Sequence, residues 1–310
     1  MNSMGKIWLE KRLVKAKLVN LAARDPQALI RSCEASYRAG VERAAQEIIN
    51  RQSKLVLLAG PSGSGKTTSA KKLVEVLEAH GCPAQHIAMD DFYQSLDDYP
   101  RLPDGTKDYE NVTALDLPLL HSCLDELLTQ GKTELPIFDF ESEMRRPETR
   151  PVSLNGGVVV MEGIHALNPL VSQGLDSRHL FKIYAGVREE YCDNEGKNIL
   201  DAKELRLARR TLRDTRRGRD AEETIAKGPQ VDQGEELYIR RYKLQAHYIL
   251  DTAFSYEPCV LAGILPRVYR AISPQSQSYA PAQRLTRALE QFQPIPWELV
   301  PQDSMLQEFL

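Results

Sequence analysis

The sequence predicts an α/β fold, a parallel sheet with helices on both of its faces. Two observations lead there. Short apolar, β-branched runs, of the kind expected when both sides of a strand are covered, alternate with stretches of helical spacing. The first of these runs also ends in a glycine-rich turn that opens directly into a helical stretch, the connection of a strand–helix unit in a parallel sheet.

Taken in order, residues from about Lys6 to Gln52 carry few Gly or Pro and repeat apolar positions near helical spacing, so a helical segment is expected. Lys54 to Gly60 reads as a strand, and Lys66 to Gly81 as a helix closed by glycine. His86 to Asp90 is a second strand, and the Pro- and Gly-containing stretch from Tyr93 to Lys107 is a loop. Leu115 to Gln130 is helical. Gly157 to Glu162 and Phe181 to Ala185 are further buried strands. Ala202 to Arg217 is an arginine-laden helix, and Glu235 to Leu250 is expected to be helical too. Ser273 to Pro281 looks like a linker before a short helix and a final tail.

Composition narrows the function classes. The 310 residues are 42% hydrophobic and 27% charged, ordinary for a globular protein. A net charge of -3 supplies no global positive field, so neither nucleic acid nor a membrane surface is an expected partner. Cys33, Cys82, Cys123, Cys192 and Cys259 are odd in number and far apart, which fits reduced thiols in a cytoplasmic setting. The basic start has no apolar stretch of signal-peptide length, and no run approaches the ~20 apolar residues that span a bilayer. Homo-oligomerisation is left open by the sequence.

Gly60-Pro61-Ser62-Gly63-Ser64-Gly65-Lys66-Thr67 matches G-x-x-x-x-G-K-[ST], with an apolar strand before it and a helix after. Glycines are needed there because backbone N–H groups must curl around an anion at angles that a Cβ obstructs. The following helix adds its N-terminal partial charge. This is a phosphate loop, and it refines the fold to a P-loop NTPase-type sheet. ATP is the expected ligand, with Lys66 reaching the β- and γ-phosphates, Thr68 alongside, and the Thr67 hydroxyl on Mg²⁺.

In an open parallel sheet, ligands lie beyond the carboxyl ends of the strands. Asp90 and Asp91 end the second strand, where a carboxylate could take the proton of an attacking hydroxyl; a helix cap is the structural alternative. Glu162 ends its strand in the same way. It could hold a metal-bound water, or pair with a surface cation. Seven arginines lie between Arg206 and Arg219. Arg206, Arg209, Arg210, Arg213 and Arg217 share one helix face, opposite Leu205, Ala208 and Leu212. Forked donors crowded together suit phosphate oxygens, so this helix is expected to act as a lid closing over ATP. A solvated helix or an RNA-binding stripe is the alternative, the latter weakened by the absence of interleaved aromatics.

At these residues the chain resembles the uridine kinase and phosphoribulokinase group of P-loop kinases. The matching pieces are Gly60–Thr68, Met89–Tyr93, Asp108–Leu120, Leu135–Arg146, Met161–Pro169 and Arg209–Asp220. A narrower resemblance is to bacterial uridine-kinase-like nucleoside kinases, carried by Tyr99–Gly105, Glu162–Pro169, Gly234–Ile239 and Ile295–Phe309. The domain those proteins often carry in front, similar to a threonyl-tRNA synthetase appendage, is not expected here, and a helical segment is expected in its place. The resemblance runs from about Lys54 to the C-terminus, and the pattern along the chain leads us to expect a helical segment over 1–52, a P-loop kinase domain over 53–272, and a linker, short helix and tail over 273–310.

It further implies Asp90 as general base, Glu162 on the magnesium side, and Tyr93 beside the acceptor. Glu110 falls where uridine kinases place an Asp on the ribose hydroxyls. Arg210 and Arg213 fall at contacts to substrate and phosphate, and Arg217 and Arg219 in the lid. Phe138 and Glu143 stand where that family reads the pyrimidine with Tyr and His, and Lys227 where it has Gln, which implies altered selectivity. The expected activity is ATP-dependent phosphoryl transfer to a small nucleoside-like alcohol. The rivals are a kinase for a sugar, sugar phosphate or pantothenate-like molecule, and a nucleotide sensor or RNA-associated ATPase. No role is assigned to the six histidines.

Overall fold

The structure, a computed structural model, describes residues 11–102, 105–140 and 142–310. Ten strands run along it: β1 (Arg12–Lys15), β2 (Leu55–Ala59), β3 (Ala84–Ala88), β4 (Lys132–Asp139), β5 (Met144–Ser153), β6 (Val158–Glu162), β7 (Leu180–Gly186), β8 (Glu189–Cys192), β9 (Asn198–Leu200) and β10 (Tyr248–Asp251). Five of them form the central sheet in the order β10-β7-β2-β6-β3, and every neighbouring pair is parallel.

The strand sequences explain why this sheet is buried on both sides. Along β2 the side chains alternate between two cores: Val56 and Leu58 enter one, Leu55, Leu57 and Ala59 the other. β6 divides in the same way, with Val158 and Val160 against Val159 and Met161. All of these residues are buried, and each fully buried aliphatic side chain contributes ~1.5–3 kcal/mol relative to exposure.

Helices α1 (Ala16–Ala22), α2 (Pro26–Asn50), α3 (Lys66–Ala79), α4 (Leu117–Gln130) and α5 (Ala202–Arg216) account for most of the covering. α2 starts on an Asp25 cap with Pro26 at its first position, and α4 ends on Gly131 in the left-handed region. α5 opens on a reciprocal capping box between Asp201 and Glu204. The core on the α2 and α3 side draws residues from Ala16 through Leu310, so the first and last segments pack into the same interior as the sheet.

Four segments differ from the sequence expectation. The helix expected from Lys6 lies outside the described residues up to residue 10, and Arg12–Lys15 form strand β1 instead. Parallel pairing with β8, far away in sequence, takes up that backbone. Within Glu235–Leu250, a π-turn (Glu235–Ile239) and a 3-10 stretch (Arg240–Gln245) give way to β10, which closes the sheet beside β7. The expected linker at Ser273–Pro281 is partly helical, because a helix already begins at Tyr279. An antiparallel hairpin of β4 and β5 also projects where only an acceptor segment was expected.

Candidate functional site

The glycine-rich loop lies between β2 and α3, as the motif requires. Gly60 has no room for a side chain: a Cβ there would stand 2.2 Å from the Ala185 carbonyl oxygen. Gly65 adopts φ 77°, a left-handed turn that directs the loop into α3. Lys66 folds back so that its Nζ donates to the Pro61 carbonyl at 3.3 Å. The Thr67 hydroxyl donates to Glu162 Oε1 at 2.9 Å.

Glu162 reaches the loop because β6 neighbours β2, and Asp90 because β3 neighbours β6. Ala88 is registered against Glu162, and the chain turns into a short 3-10 stretch at Met89–Phe92 immediately after. The two carboxyls titrate in opposite directions. Surrounding protein desolvates Asp90, Glu162 adds negative charge, and Lys66 only partly compensates, so its pKa is pushed up to about 6. Asp90 as a residue is nonetheless exposed, so protein crowds it without sealing it from water. Burial also disfavours charge on Glu162. There, however, His86, Lys66 and the Thr67 hydroxyl outweigh it and hold the carboxyl below its usual range.

Asp91 faces elsewhere. Its Oδ2 lies 3.7 Å from Arg150 on β5, so it belongs to the hairpin side of the cleft. His86 stands 3.8 Å from Glu162 Oε1, beyond hydrogen-bond length. The sequence reading missed His86, although strand alternation puts it on the face of Ala88 beside Glu162.

Further round the cleft, Tyr93, Tyr99 and Phe138 make an aromatic wall. The Tyr93 ring centre is 5.9 Å from that of Tyr99 and 5.9 Å from that of Phe138. Glu110 is desolvated, with Lys66 and Arg210 offsetting and Asp108 and Asp90 adding to the effect, and its pKa rises to about 7. Asp108, which the sequence reading did not single out, accepts from the Tyr238 hydroxyl at 2.8 Å. His165 is buried against Tyr238, and burial lowers its pKa to about 4. Glu143 occupies the exposed turn of the hairpin with φ 54°.

The arginine helix separates into two sets. Arg209 is fully buried: it donates to Glu257 Oε1 and Oε2 at 2.6 Å each and to the Gly63 carbonyl at 3.1 Å. Arg206 donates to Glu235 at 2.5 Å and to the Ser62 carbonyl at 3.0 Å. These two hold the phosphate loop from behind rather than facing an anion. Because the peptide unit is trans, fixing the Ser62 carbonyl turns the Gly63 N–H the opposite way. Arg210 and Arg213 form the second set and, with Arg219 and Lys227 beyond the helix, line a cavity of about 150 Å³ together with Ser62 and Asp214. Arg213 also donates to Asp214 at 3.1 Å, and Arg217 is exposed at the end of α5. The single phosphate-facing stripe expected from spacing is therefore half anchor and half cavity wall.

The order of these pieces along the chain has known counterparts. The sequence profile of the phosphoribulokinase / uridine kinase family matches residues 55–255. The chain belongs to that family. Among its relatives, a uridine kinase of Deinococcus deserti is 34% identical over 169 residues, covering 54% of this chain and 72% of the relative. A uridine kinase of Halobacterium salinarum is 32% identical over 124 residues, covering 40% and 53%. Among solved structures, a candidate fructose transport system kinase from Silicibacter sp. TM1040 superposes with a TM-score of 0.51 at 21% identity, over 67% of this chain and 98% of that one, which supports the P-loop kinase fold. Among the described residues, no helix is long and apolar enough to cross a membrane.

Proposed function

We propose that this chain transfers the terminal phosphoryl group of ATP to a hydroxyl of a small, nucleoside-like acceptor. The observation that carries this reading is the pair of strand-end carboxyls beside one phosphate loop, Asp90 raised and Glu162 lowered. Two acids whose environments drive them apart can divide the work of proton acceptor and anionic ligand. The uridine kinases among its relatives support a nucleoside-like acceptor.

In this reading the acceptor O–H gives its proton to Asp90 as its oxygen forms a bond to the γ-phosphorus. The bond from that phosphorus to the bridging oxygen breaks, and ADP leaves. Lys66 and Arg213 face the charge on the phosphoryl oxygens, where fixed donors act without reorganising. Arg219 and, in a closing movement, Arg217 would screen the donor from water. Tyr93 and Phe138 offer ring faces to the acceptor, with Glu110 and Arg210 at its polar edge and Glu143 at the rim.

A magnesium ion fits the donor set. Thr67 and Glu162 present a hydroxyl and a carboxylate oxygen 2.9 Å apart at the loop. Phosphate oxygens of the bound nucleotide would supply further ligands to such an ion. When bound, it would neutralise charge on the β- and γ-phosphates. With ATP as donor and five free thiols, we place the protein in the cytoplasm.

The test is an ADP-release screen across nucleosides, sugars, sugar phosphates and pantothenate-like alcohols, with the mass of the product measured. Acceptor-dependent ADP with a nucleoside, and a product heavier by one phosphoryl group, is the expected result. Failure of every nucleoside alongside turnover of a sugar overturns the acceptor. ATP binding with no acceptor-dependent turnover overturns the kinase reading.

A further inference from the structure

The last stretch of the chain returns to the phosphate loop. Met305–Glu308 form one 3-10 turn in which Met305 and Leu306 are buried, followed by buried Phe309 and Leu310. Several contacts fix this turn. Met305 fills the space beside Gly65, where a Cβ would meet its Sδ at 2.2 Å. The Ser304 hydroxyl donates to buried Glu34 at 2.5 Å, and the Tyr256 hydroxyl donates to the same oxygen at 2.6 Å. Arg209 lies over the Phe309 ring at 5.1 Å, while its guanidinium also holds the loop carbonyl of Gly63.

The turn so placed delivers one carboxylate to the loop. Glu308 Oε2 accepts from the Thr68 backbone N–H at 3.3 Å and from the Thr68 hydroxyl at 2.7 Å. Thr68 follows the Gly-Lys-Thr of the loop and lies in the first turn of α3. Its N–H has no carbonyl partner within the helix and is one of the donors such a terminus offers to an anion. One anionic oxygen held by a backbone N–H and a hydroxyl is the coordination a phosphate oxygen would receive there.

We propose that Glu308 is a residue of the nucleotide site, its carboxylate holding the Thr68 donors in place of a phosphate oxygen, so that an entering nucleotide must displace it. A carboxylate and a phosphate cannot share the two donors, because both are anionic and each needs the same hydrogens. Glu308 is only partly buried, unlike Met305, Leu306 and Phe309, so its side chain can turn away while the turn stays anchored. The residue then sets the affinity for the phosphate end of ATP. The simpler alternative is a fixed clamp, since an acid at a helix N-terminus stabilises the helix by ~0.3–1 kcal/mol whatever binds nearby.

The inference rests on the nucleotide-binding part of the proposed function and is independent of the acceptor. Its test is calorimetric titration of the full chain and of Glu308→Gln with ATP and with inorganic pyrophosphate. Charge-assisted hydrogen bonds are roughly twice as strong as neutral ones, so a neutral amide is a poorer competitor, and both ligands should bind on the order of tenfold tighter to the variant. Unchanged or weaker binding of both identifies a clamp and overturns the proposal. Tightening for ATP alone does so as well, because the contest would then lie with the nucleoside part. Binding that is normal but ungained sinks this inference only; no binding of either ligand to either protein sinks the nucleotide reading with it. A second measurement uses the unmodified chain. Adding pyrophosphate should shift the side-chain carboxyl carbon resonance of Glu308, assigned by its loss in Glu308→Gln, while residues 304–310 keep their exchange protection; a resonance that does not move overturns the displacement.

Discussion

The phosphate loop and the aromatic wall around Tyr93 and Phe138 are built in opposite ways. The loop is nine consecutive residues, Gly60–Thr68, whose carbonyls are tied from behind by Arg206 and Arg209 and whose front is touched by Met305 and Glu308. The wall is collected from the turn after β3, the stretch around Asp108 and Glu110, the β4–β5 hairpin and the π-turn carrying Tyr238. Ring contacts and a few long-range hydrogen bonds hold it together. A site that must grip the same triphosphate each time can be local and over-determined. One that distinguishes alcohols draws on separate segments that can change independently.

If that contrast is sound, the largest loss should come where the two regions meet, at Asp90. Asp90→Asn should cut turnover by roughly 10²–10⁴-fold, the usual contribution of a positioned proton acceptor, with ATP affinity close to normal. Steady-state kinetics paired with ATP titration measures both. A variant with near-normal turnover removes Asp90 as the base.

Next in size is the anchoring of the loop. Arg209→Ala leaves Glu257 buried without its partner, and breaking a buried pair in this way costs about 3–5 kcal/mol. Denaturant unfolding should show that loss. Arg210→Ala should leave stability nearly unchanged, because burial already disfavours its charge and, among the described residues, no carboxylate pairs with it directly. Its effect should appear instead in acceptor KM and turnover. Equal stability losses in the two variants would erase the distinction between anchor and cavity wall.

These cases also mark what the sequence could and could not reveal. The central strands were legible because a strand covered on both faces needs a continuous apolar run, as Leu55–Ala59 and Val158–Glu162 have. The loop was legible because its geometry follows from adjacent residues. Arg209 was not, since helix spacing places it with Arg210 and Arg213, and its partner Glu257 lies 48 positions away. β1 and the hairpin were hidden for a related reason. Arg12–Lys15 is mostly exposed and becomes a strand only by pairing with Glu189–Cys192, and β5 is polar along nearly all its length. Thr68 was readable as the residue that follows the loop motif, but its hydrogen-bond partner Glu308, 240 residues on, was not.

The smallest expected effect is the one that best separates the neighbouring acids. As the base, Asp90 must be ionised to accept a proton, and its pKa is raised to about 6, so kcat/KM should climb with pH through about 6 and fall away below it. Asp91 adds to that rise through its negative charge, while its own carboxyl is turned toward Arg150. Asp91→Asn removes a like charge and should therefore move the acidic limb to lower pH, leaving turnover at pH 7.5 within about twofold of the unmodified chain, the size of change expected when no essential group is lost. A pH series of kcat/KM for the two asparagine variants decides the matter. A limb that moves upward in Asp91→Asn contradicts the electrostatics of the cleft floor. A hundredfold loss in that variant with little in Asp90→Asn would exchange the roles of the two residues and transfer the proton acceptor to the hairpin side.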